Sequence, residues 1–327
     1  MSNLRVGLIG LGMMGQNHAR VLSTLDGIDF VGVCDPSEEF NNNAQGRTIV
    51  KSVDQLIEMK IDYAIVAVPT VYHLETGLAL ANAGIHALIE KPLAQDFGSA
   101  QKLANAFETA GLVGAVGYIE RFNPALQEAR KRIDQLGTLH QIATRRQGPF
   151  PSRISDVGVV KDLATHDVDL TAWVTGQKYK TVSARTSYKS GREFEDMVAV
   201  IASLSGGTIA SHLVNWLSPI KERVTILTGE KGSFVADTLT ADLTFYANGS
   251  VSTDWDAISR FRGVSEGDVT RYAFPKKEPL RLEHENFRDA VLGKKSEIVS
   301  MDEGLETVKV VETILKSADL GLALEIN

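Results

Sequence analysis

Apolar and amphipathic stretches alternate along the first third of the chain. Apolar runs rich in β-branched residues occur at 4–9, 28–34, 63–68, 85–89 and 112–116, as is typical of buried parallel strands. Stretches with helical spacing of their apolar positions lie between these runs, and the last of them ends near Gly111. Such alternation predicts a parallel, doubly wound sheet with helices on both faces.

The pattern changes after Tyr118. Shorter apolar–polar alternations follow one another, with a hairpin signal at Ser205-Gly206-Gly207. They predict a mostly antiparallel sheet that is open on one face. Helices are predicted at 124–136, 158–174, 282–292 and 303–317. The fold class is therefore α/β, with a first domain over residues 1–120 and an α+β domain over 121–327.

A glycine-rich turn follows the first predicted strand. Gly10, Gly12 and Gly15 have the spacing G-x-G-x-x-G, and residues 16–25 continue with a helical pattern. Gly10 permits the tight turn, Gly12 lets a pyrophosphate approach the backbone, and Gly15 lets the helix lie close to the strand. Backbone N–H groups at the positive end of that helix then bind phosphate. The strand–turn–helix context predicts a dinucleotide-binding Rossmann domain.

An acidic residue follows the second predicted strand. Asp35 lies 20 positions after Gly15, where dinucleotide-binding folds place the acid that binds the ribose 2′-hydroxyl. Pro36 and Ser37 come next, so no basic side chain there would neutralise a 2′-phosphate. We therefore predict NAD rather than NADP as the cofactor. The simpler alternative is a glycine turn followed by an ordinary helix-capping aspartate.

Composition excludes several classes of function. The 327 residues carry a net charge of −7, which argues against a nucleic-acid partner. Cys34 is the only cysteine, so a disulfide within the chain and a cysteine-based zinc site are excluded. The N-terminus lacks a signal-peptide pattern, and no apolar run is long enough to span a bilayer. We expect a cytoplasmic protein with no membrane partner.

Two groups of polar residues are candidates for chemistry. Lys91 follows a predicted strand, where its ammonium can stabilise a developing alkoxide; a surface lysine before a turn proline is an equal alternative. Asp162 and His166 are four positions apart and share a helix face, so the carboxylate can orient a histidine that acts as a general base. From spacing alone, a buried histidine with satisfied ring nitrogens is the better interpretation. A metal site that adds Asp169 is a weaker third one.

At these residues the chain resembles the glucose–fructose oxidoreductase, inositol dehydrogenase and rhizopine catabolism (GFO/IDH/MocA) family. The specific features are Glu90-Lys91-Pro92 together with Asp162-x-x-x-His166, and the resemblance extends over nearly the whole chain. Residues 117–124, 156–170 and 215–219 resemble a subgroup that acts on nucleotide sugars, the UDP-N-acetylglucosamine 3-dehydrogenases and their relatives. Lys161 stands where that subgroup has an apolar residue.

The resemblance implies an NAD-dependent dehydrogenase that oxidises a sugar hydroxyl, at C3 of a UDP-N-acetylhexosamine. In this family the lysine and the histidine are catalytic and the aspartate assists, which assigns these roles to Lys91, His166 and Asp162. Inositol or a simple sugar is the nearest alternative substrate. A non-catalytic, NAD-dependent sensor is the alternative from another class. Similar proteins are dimers or tetramers, so we expect a homo-oligomer that binds a small sugar or nucleotide sugar.

The predicted site residues fall into two groups, and no metal ligands are predicted. Cofactor contacts are predicted at Gly10, Gly12, Met13, Met14, Gly15, Asp35, Pro69, Thr70, His73, Glu90, Lys91 and Arg121. Substrate contacts are predicted at Tyr118, Asn123, Arg153, Asp162 and His166, with Lys221 and Arg223 as further candidates for binding a diphosphate.

Overall fold

The chain forms two compact units. A computed structural model describes residues 3–37, 43–151, 157–249 and 266–326. The first unit comprises Met1–Ile119 and Glu278–Lys309, and the second comprises Glu120–Lys277 and Val310–Asn327. We predicted residues 121–327 as one domain, whereas the structure groups 278–309 with the first unit. The physical reason is packing, because Phe287 lies buried against Tyr63 with a ring-centroid distance of 5.3 Å.

The first unit is built on a six-stranded parallel sheet with the order β3-β2-β1-β4-β5-β6. Its strands are β1 (Leu4–Ile9), β2 (Ile28–Cys34), β3 (Thr48–Val50), β4 (Tyr63–Val66), β5 (His86–Glu90) and β6 (Gly114–Gly117). The predicted parallel, doubly wound sheet is thereby confirmed. Because β1 lies between β2 and β4, the strand order reverses there, and ligands bind beyond the carboxyl ends of strands at such a point.

Helices connect the parallel strands. They are α1 (Met13–Leu22), α2 (Val53–Glu58), α3 (His73–Asn82) and α4 (Phe97–Thr109). Side chains cap two of them at the N-terminus, since Ser52 accepts a hydrogen bond from the Gln55 N–H and Asp96 accepts one from the Ser99 N–H. Apolar residues on both faces of the sheet are buried, as β4 illustrates along its whole length.

The second unit contains a nine-stranded sheet with the order β14-β13-β12-β11-β7-β10-β9-β8-β15. Its strands are β7 (Leu139–Pro149), β8 (Tyr179–Ser187), β9 (Met197–Leu204), β10 (Ile209–Asn215), β11 (Leu217–Gly229), β12 (Gly232–Asp237), β13 (Asp242–Asn248), β14 (Glu266–Arg271) and β15 (Leu324–Glu325). Only the pairing of β10 with β7 is parallel among these described strands. The predicted mostly antiparallel sheet is therefore confirmed.

Exposure alternates along the central strands of this sheet. In β9, Val198 is buried while Ile201 is 56% exposed, so one face packs on a core and the other is open within the chain. That open face is a candidate surface for the expected homo-oligomer, which stays a prediction. No helix among the described residues has the length and apolar character needed to cross a bilayer.

The helices of the second unit follow the predicted pattern with two local differences. They include α5 (Pro124–Lys131) and α6 (Thr165–Thr175), while α7 (Pro279–Val291) lies in the first unit and α8 (Met301–Leu320) ends in the second. The helix predicted over 124–136 ends at Lys131 and is followed by a 3₁₀ turn, Ile133–Leu136. The stretch 158–174, predicted as mostly helical, consists of a π-helical turn, Val160–Ala164, followed by α6. That turn carries Asp162.

Candidate functional site

The glycine-rich turn joins β1 to α1 at the carboxyl edge of the parallel sheet. A Cβ on Gly15 would lie 2.0 Å from the Gly10 carbonyl oxygen, so no larger residue fits there. A Cβ on Gly12 would meet nothing within 4 Å, which leaves its backbone open to a ligand. No side chain caps the N-terminus of α1. An open backbone at a helix N-terminus without a capping side chain fits the pyrophosphate of a dinucleotide.

Asp35 lies beside this turn at the end of β2. Its Oδ2 accepts a hydrogen bond from the Leu11 N–H at 2.7 Å, and its Oδ1 accepts one from the Ser37 N–H at 2.8 Å. The carboxylate therefore holds the glycine-rich turn in place. Two carboxylate oxygens accept about four hydrogen bonds in total, so capacity remains for the hydroxyls of a ribose.

His73 joins two loops at the same sheet edge, where Pro69 and Thr70 precede it. Its Nδ1 lies 2.9 Å from the Pro92 carbonyl oxygen and its Nε2 lies 3.0 Å from the Val68 carbonyl oxygen. Burial lowers the pKa of His73, although the two carbonyl groups act in the opposite direction. Since both ring nitrogens face backbone acceptors, His73 supports the loop that contains Lys91, and its contact with a cofactor stays a prediction.

Lys91 follows β5 and is half-buried. Its backbone N–H donates to Oε2 of Glu90 at 3.2 Å, and the other oxygen of Glu90 lies 3.0 Å from Nε2 of His18. The carboxylate of Glu90 is thus fixed at both oxygens. The structure gives Lys91 a defined backbone position at the edge where a dinucleotide would bind.

Asp162 and His166 lie in the second unit and are 5% and 9% exposed. Asp162 is in the π-helical turn and His166 is in the first turn of α6. The entry to the turn is held by Glu195, whose carbonyl oxygen accepts from the Val159 N–H at 2.9 Å and whose Oε1 accepts from the Val160 N–H at 3.0 Å. Single π turns of this kind concentrate at functional sites.

The Glu195 carboxylate fits against Gly158. A Cβ at that position would lie 2.0 Å from Oε1 of Glu195, so the absence of a side chain makes room for the acid. The local pattern of residues 158–174 contains no sign of Glu195, which lies just before β9, so the prediction of a mostly helical stretch did not identify the π turn.

Arg121 and Asp169 form a buried, bidentate ion pair. Nε of Arg121 donates to Oδ2 of Asp169 at 2.8 Å and Nη2 donates to Oδ1 at 2.5 Å. Asp169 is thereby engaged, and the part of the chain that the structure describes holds no group of three or more His, Cys, Asp or Glu side chains that could bind a metal. The alternative of a metal site with Asp162 and His166 has no support.

Three of the predicted substrate contacts are Asn123, Tyr118 and Arg153. Asn123 caps α5, since its Oδ1 accepts from the Ala125 N–H at 3.0 Å, and its Nδ2 donates to the Thr238 carbonyl at 3.0 Å. Tyr118 is fully buried in the core of the first unit. Arg153 lies outside the described residues. Their contacts with substrate stay predictions.

A buried ion cluster in the second unit was not predicted. Nη1 of Arg146 donates to Glu120 at 2.8 Å and its Nε donates to Asp167 at 3.0 Å. Burial acts to raise the pKa of Glu120, but the Arg146 charge outweighs it and holds that pKa below its usual value. Burial, and then the nearby Arg146, lower the pKa of Arg223 to about 10.

The sequence did contain a sign of this cluster. Ile142, Thr144 and Arg146 alternate along β7, and all three are buried on the same face. An arginine on the inward face of a strand requires buried acidic partners. Their identity depends on tertiary packing, because Asp167 is 21 positions away along the chain.

Comparisons with family models match both units. Residues 4–118 match a model described as "Oxidoreductase family, NAD-binding Rossmann fold", and residues 126–235 match the GFO/IDH/MocA C-terminal domain. The two matched segments together cover more than half of the 327 residues.

Curated relatives have named dehydrogenase activities. The chain is 31% identical over 214 residues to UDP-N-acetylglucosamine 3-dehydrogenase from Acidithiobacillus ferrooxidans, which covers 64% of this chain and 66% of that protein. It is 28% identical over 221 residues to inositol 2-dehydrogenase 2 from Saccharopolyspora erythraea, which covers 63% of this chain and 65% of the relative. The aligned parts span just under two thirds of both relatives.

Solved structures resemble the whole chain. The A. ferrooxidans UDP-N-acetylglucosamine 3-dehydrogenase superposes with a TM-score of 0.85 at 25% identity, covering 98% of this chain and 99% of that one. The WlbA dehydrogenase from Bordetella pertussis, solved with NADH and UDP-GlcNAcA, has a TM-score of 0.84 at 22% identity and covers 99% and 98%. At that lower identity the second comparison supports the fold alone.

Proposed function

This chain belongs to the GFO/IDH/MocA oxidoreductase family and its first unit is an NAD-binding Rossmann domain, and on that premise we propose that it is an NAD-dependent dehydrogenase of nucleotide sugars. The proposed reaction oxidises a hydroxyl, at C3 of a UDP-N-acetylhexosamine, to a ketone. One observation carries the proposal: a single chain combines a dinucleotide turn with Lys91 at the sheet edge and with a buried Asp162–His166 pair.

The proposed roles follow from the chemistry of these side chains. When bound, NAD accepts the hydride from the carbon that is oxidised. His166 takes the hydroxyl proton as the general base. The ammonium group of Lys91 holds the same oxygen and stabilises its negative charge. Asp162 positions the sugar or the imidazole.

Backbone contacts near these residues support the proposed roles. Glu195 holds the π turn that carries Asp162, and Glu90 holds the backbone N–H of Lys91. Low exposure of Asp162 and His166 strengthens their electrostatic effect on a bound substrate. Arg223 is a candidate for the diphosphate, because burial lowers the pKa of its guanidinium and a bound anion would stabilise that charge.

Cofactor preference gives the first test. Wild-type protein should bind NAD more tightly than NADP, because the Asp35 carboxylate repels a 2′-phosphate. In Asp35→Ala the ratio of the two Kd values should move towards one, while both affinities fall because the Leu11 N–H loses its acceptor. Calorimetry measures the four constants. Asp29→Ala, at an exposed position on the same strand, is the matched control and should keep the wild-type ratio. Wild-type protein that binds NADP equally well or better would contradict the assignment.

The substrate class is tested by thermal stability with NAD present. UDP-N-acetylglucosamine or UDP-N-acetylgalactosamine should raise the Tm, since a ligand that binds only the folded state stabilises it by about 2.7 kcal/mol at 100 times its Kd. myo-Inositol and glucose at equal concentration should leave the Tm unchanged. The opposite result, a higher Tm with myo-inositol and an unchanged Tm with either UDP-sugar, would indicate an inositol dehydrogenase instead.

A further inference from the structure

Four buried titratable side chains lie together behind Lys91 in the first unit. His18 and His284 are fully buried, Glu283 is 2% exposed and Glu90 is 7% exposed. They come from three elements, since His18 is on α1, Glu90 ends β5, and the other two are on α7. The proposed mechanism assigns no role to these four residues, which we call the His18 cluster.

Hydrogen bonds connect three of its four members. Nδ1 of His18 lies 2.9 Å from Nε2 of His284, and Nε2 of His18 lies 3.0 Å from Oε1 of Glu90. The two imidazole rings meet edge to face with centroids 5.0 Å apart. The chain of contacts continues from Glu90 to the backbone N–H of Lys91 at 3.2 Å. It therefore runs from α7 through α1 to the residue after β5.

One proton position follows from these partners. A carboxylate can only accept, so the proton of His18 that faces Glu90 is on Nε2. Nδ1 of His18 and Nε2 of His284 share a second hydrogen bond. Burial, and then the neighbouring His18, lower the pKa of His284 well below its usual value, so this ring is neutral. The N–H on Nε2 of His18 is thus directed towards Glu90.

The second acid of the cluster is Glu283, and its protonation state explains why it is tolerated there. Burial, and then the charge of Glu90, raise the pKa of Glu283 well above its usual value. Among the described residues neither of its oxygens has a hydrogen-bond partner. A neutral carboxylic acid is consistent with both facts. Glu283 therefore adds no negative charge to the cluster.

We propose that His18 and His284 are positioning residues for the proposed oxidation, because they fix the Glu90 carboxylate and through it the backbone of Lys91. This inference rests on the proposed function. His18 belongs to α1, whose N-terminus forms the phosphate site, so its bond to Glu90 ties that helix to Lys91. The pair sets where the lysine stands relative to the cofactor-binding turn. Misplacing a reacting group by about 1 Å costs about 10²-fold in rate.

The test compares His18→Leu with His18→Gln. His18→Leu removes both hydrogen bonds, so turnover should fall by about 10²-fold with the loss in kcat rather than in KM. The NAD Kd should stay near the wild-type value, because α1 and the glycines are retained. His18→Gln keeps one donor and one acceptor and should restore most of the turnover. A purely structural role for His18 would lower stability without producing this kcat loss or its rescue.

A second readout does not depend on activity. The Lys91 amide should exchange its hydrogen at least about tenfold faster in His18→Leu than in wild type, as measured by NMR, because its acceptor is no longer held. If wild type oxidises no sugar, the proposed function fails while this exchange result still decides the positioning role. A folded His18→Leu with wild-type exchange at Lys91 and wild-type kcat would overturn the inference.

Two carboxyl-to-amide substitutions in the same pocket provide a matched pair if His18→Leu does not fold. Glu90→Gln replaces one carboxylate oxygen with an NH₂ group, which would face an N–H donor of His18 or Lys91. Hydrogen exchange at the Lys91 amide should therefore become faster, and kcat should fall. Glu283→Gln replaces a group that is already neutral and should leave both quantities unchanged. Equal effects of the two substitutions would contradict the inference.

The same Glu283→Gln variant has a defined pH dependence. The pKa of Glu283 is raised in the folded state, so its contribution to stability is present below the pKa of the unfolded state, about 4.3, and is lost as pH rises towards the folded value. The Tm of Glu283→Gln minus that of wild type should therefore increase from pH 5 to pH 8. A difference that stays constant over this range would show that Glu283 is ionised, and its assignment as a neutral carboxylic acid would be wrong.

Discussion

Lys91→Ala should lower the rate of sugar oxidation by about 10²–10³, while the affinity for NAD changes little. Lys91 follows β5 at the carboxyl edge of the parallel sheet, and its backbone N–H is held by Glu90. In the proposed mechanism, the ammonium group of Lys91 stabilises the charge that develops on the substrate oxygen as its proton leaves. Loss of one such electrostatic donor corresponds to about 2.7–4 kcal/mol of transition-state stabilisation.

Steady-state kinetics at saturating NAD measure this effect. Lys102→Ala is the matched control, because Lys102 is exposed on α4 in the same unit, and its turnover should equal that of wild type. Lys91→Arg keeps the charge in a different geometry and should give an intermediate rate. Turnover of Lys91→Ala within a factor of about two of wild type would remove Lys91 from the mechanism.

His166→Ala should lower turnover by about 10²–10⁴, the usual contribution of a general base. A general base must be unprotonated, so wild-type turnover should fall as the pH is lowered. The acid limb of this profile should disappear in His166→Ala, because the residual reaction no longer needs that group. The combined loss in Lys91→Ala/His166→Ala should be smaller than the product of the single losses, since the two residues act as a unit.

The pH–rate profile separates this role from a structural one. His140 is an exposed histidine on β7, and His140→Ala should keep both the wild-type rate and the acid limb. A purely structural role for His166 would lower the amount of folded enzyme and leave the shape of the profile unchanged. An intact acid limb in His166→Ala would therefore assign the base to another residue.

Local sequence determined much of the first unit. β1 and β2 have the predicted bounds, because short apolar runs between turn signals have few alternatives to a buried strand. The helix caps at Ser52 and Asp96 also depend on local sequence, because each cap joins two residues that are three positions apart. β3 was missed because three half-exposed residues give no periodic signal.

Elements that depend on distant contacts were predicted less well. β8 was missed because its residues, YKTVSARTS, are mostly polar and give little apolar–polar alternation. The π turn depends on Glu195, which is 35 positions away from Val160. The grouping of 278–309 with the first unit depends on packing that no local pattern encodes.

The residues of the candidate site also divide into those that local sequence identifies and those that depend on distant contacts. The glycines and Asp35 are recognisable because one strand–turn–helix segment and the next strand contain them all. The partners of Glu90 were not predictable, since His18 lies 72 positions from it and His284 lies 266 positions from His18. A single sequence assigns the types of catalytic group, and tertiary structure assigns the residues that hold them.

The most direct measurement is the absorbance of NADH after wild-type protein is mixed with NAD and UDP-N-acetylglucosamine. The proposed dehydrogenase should produce NADH in wild type and almost none in the Lys91→Ala/His166→Ala double variant. A UDP-sugar that raises the Tm while wild type produces no NADH with any sugar tested would contradict the enzyme and indicate an NAD-dependent sensor instead.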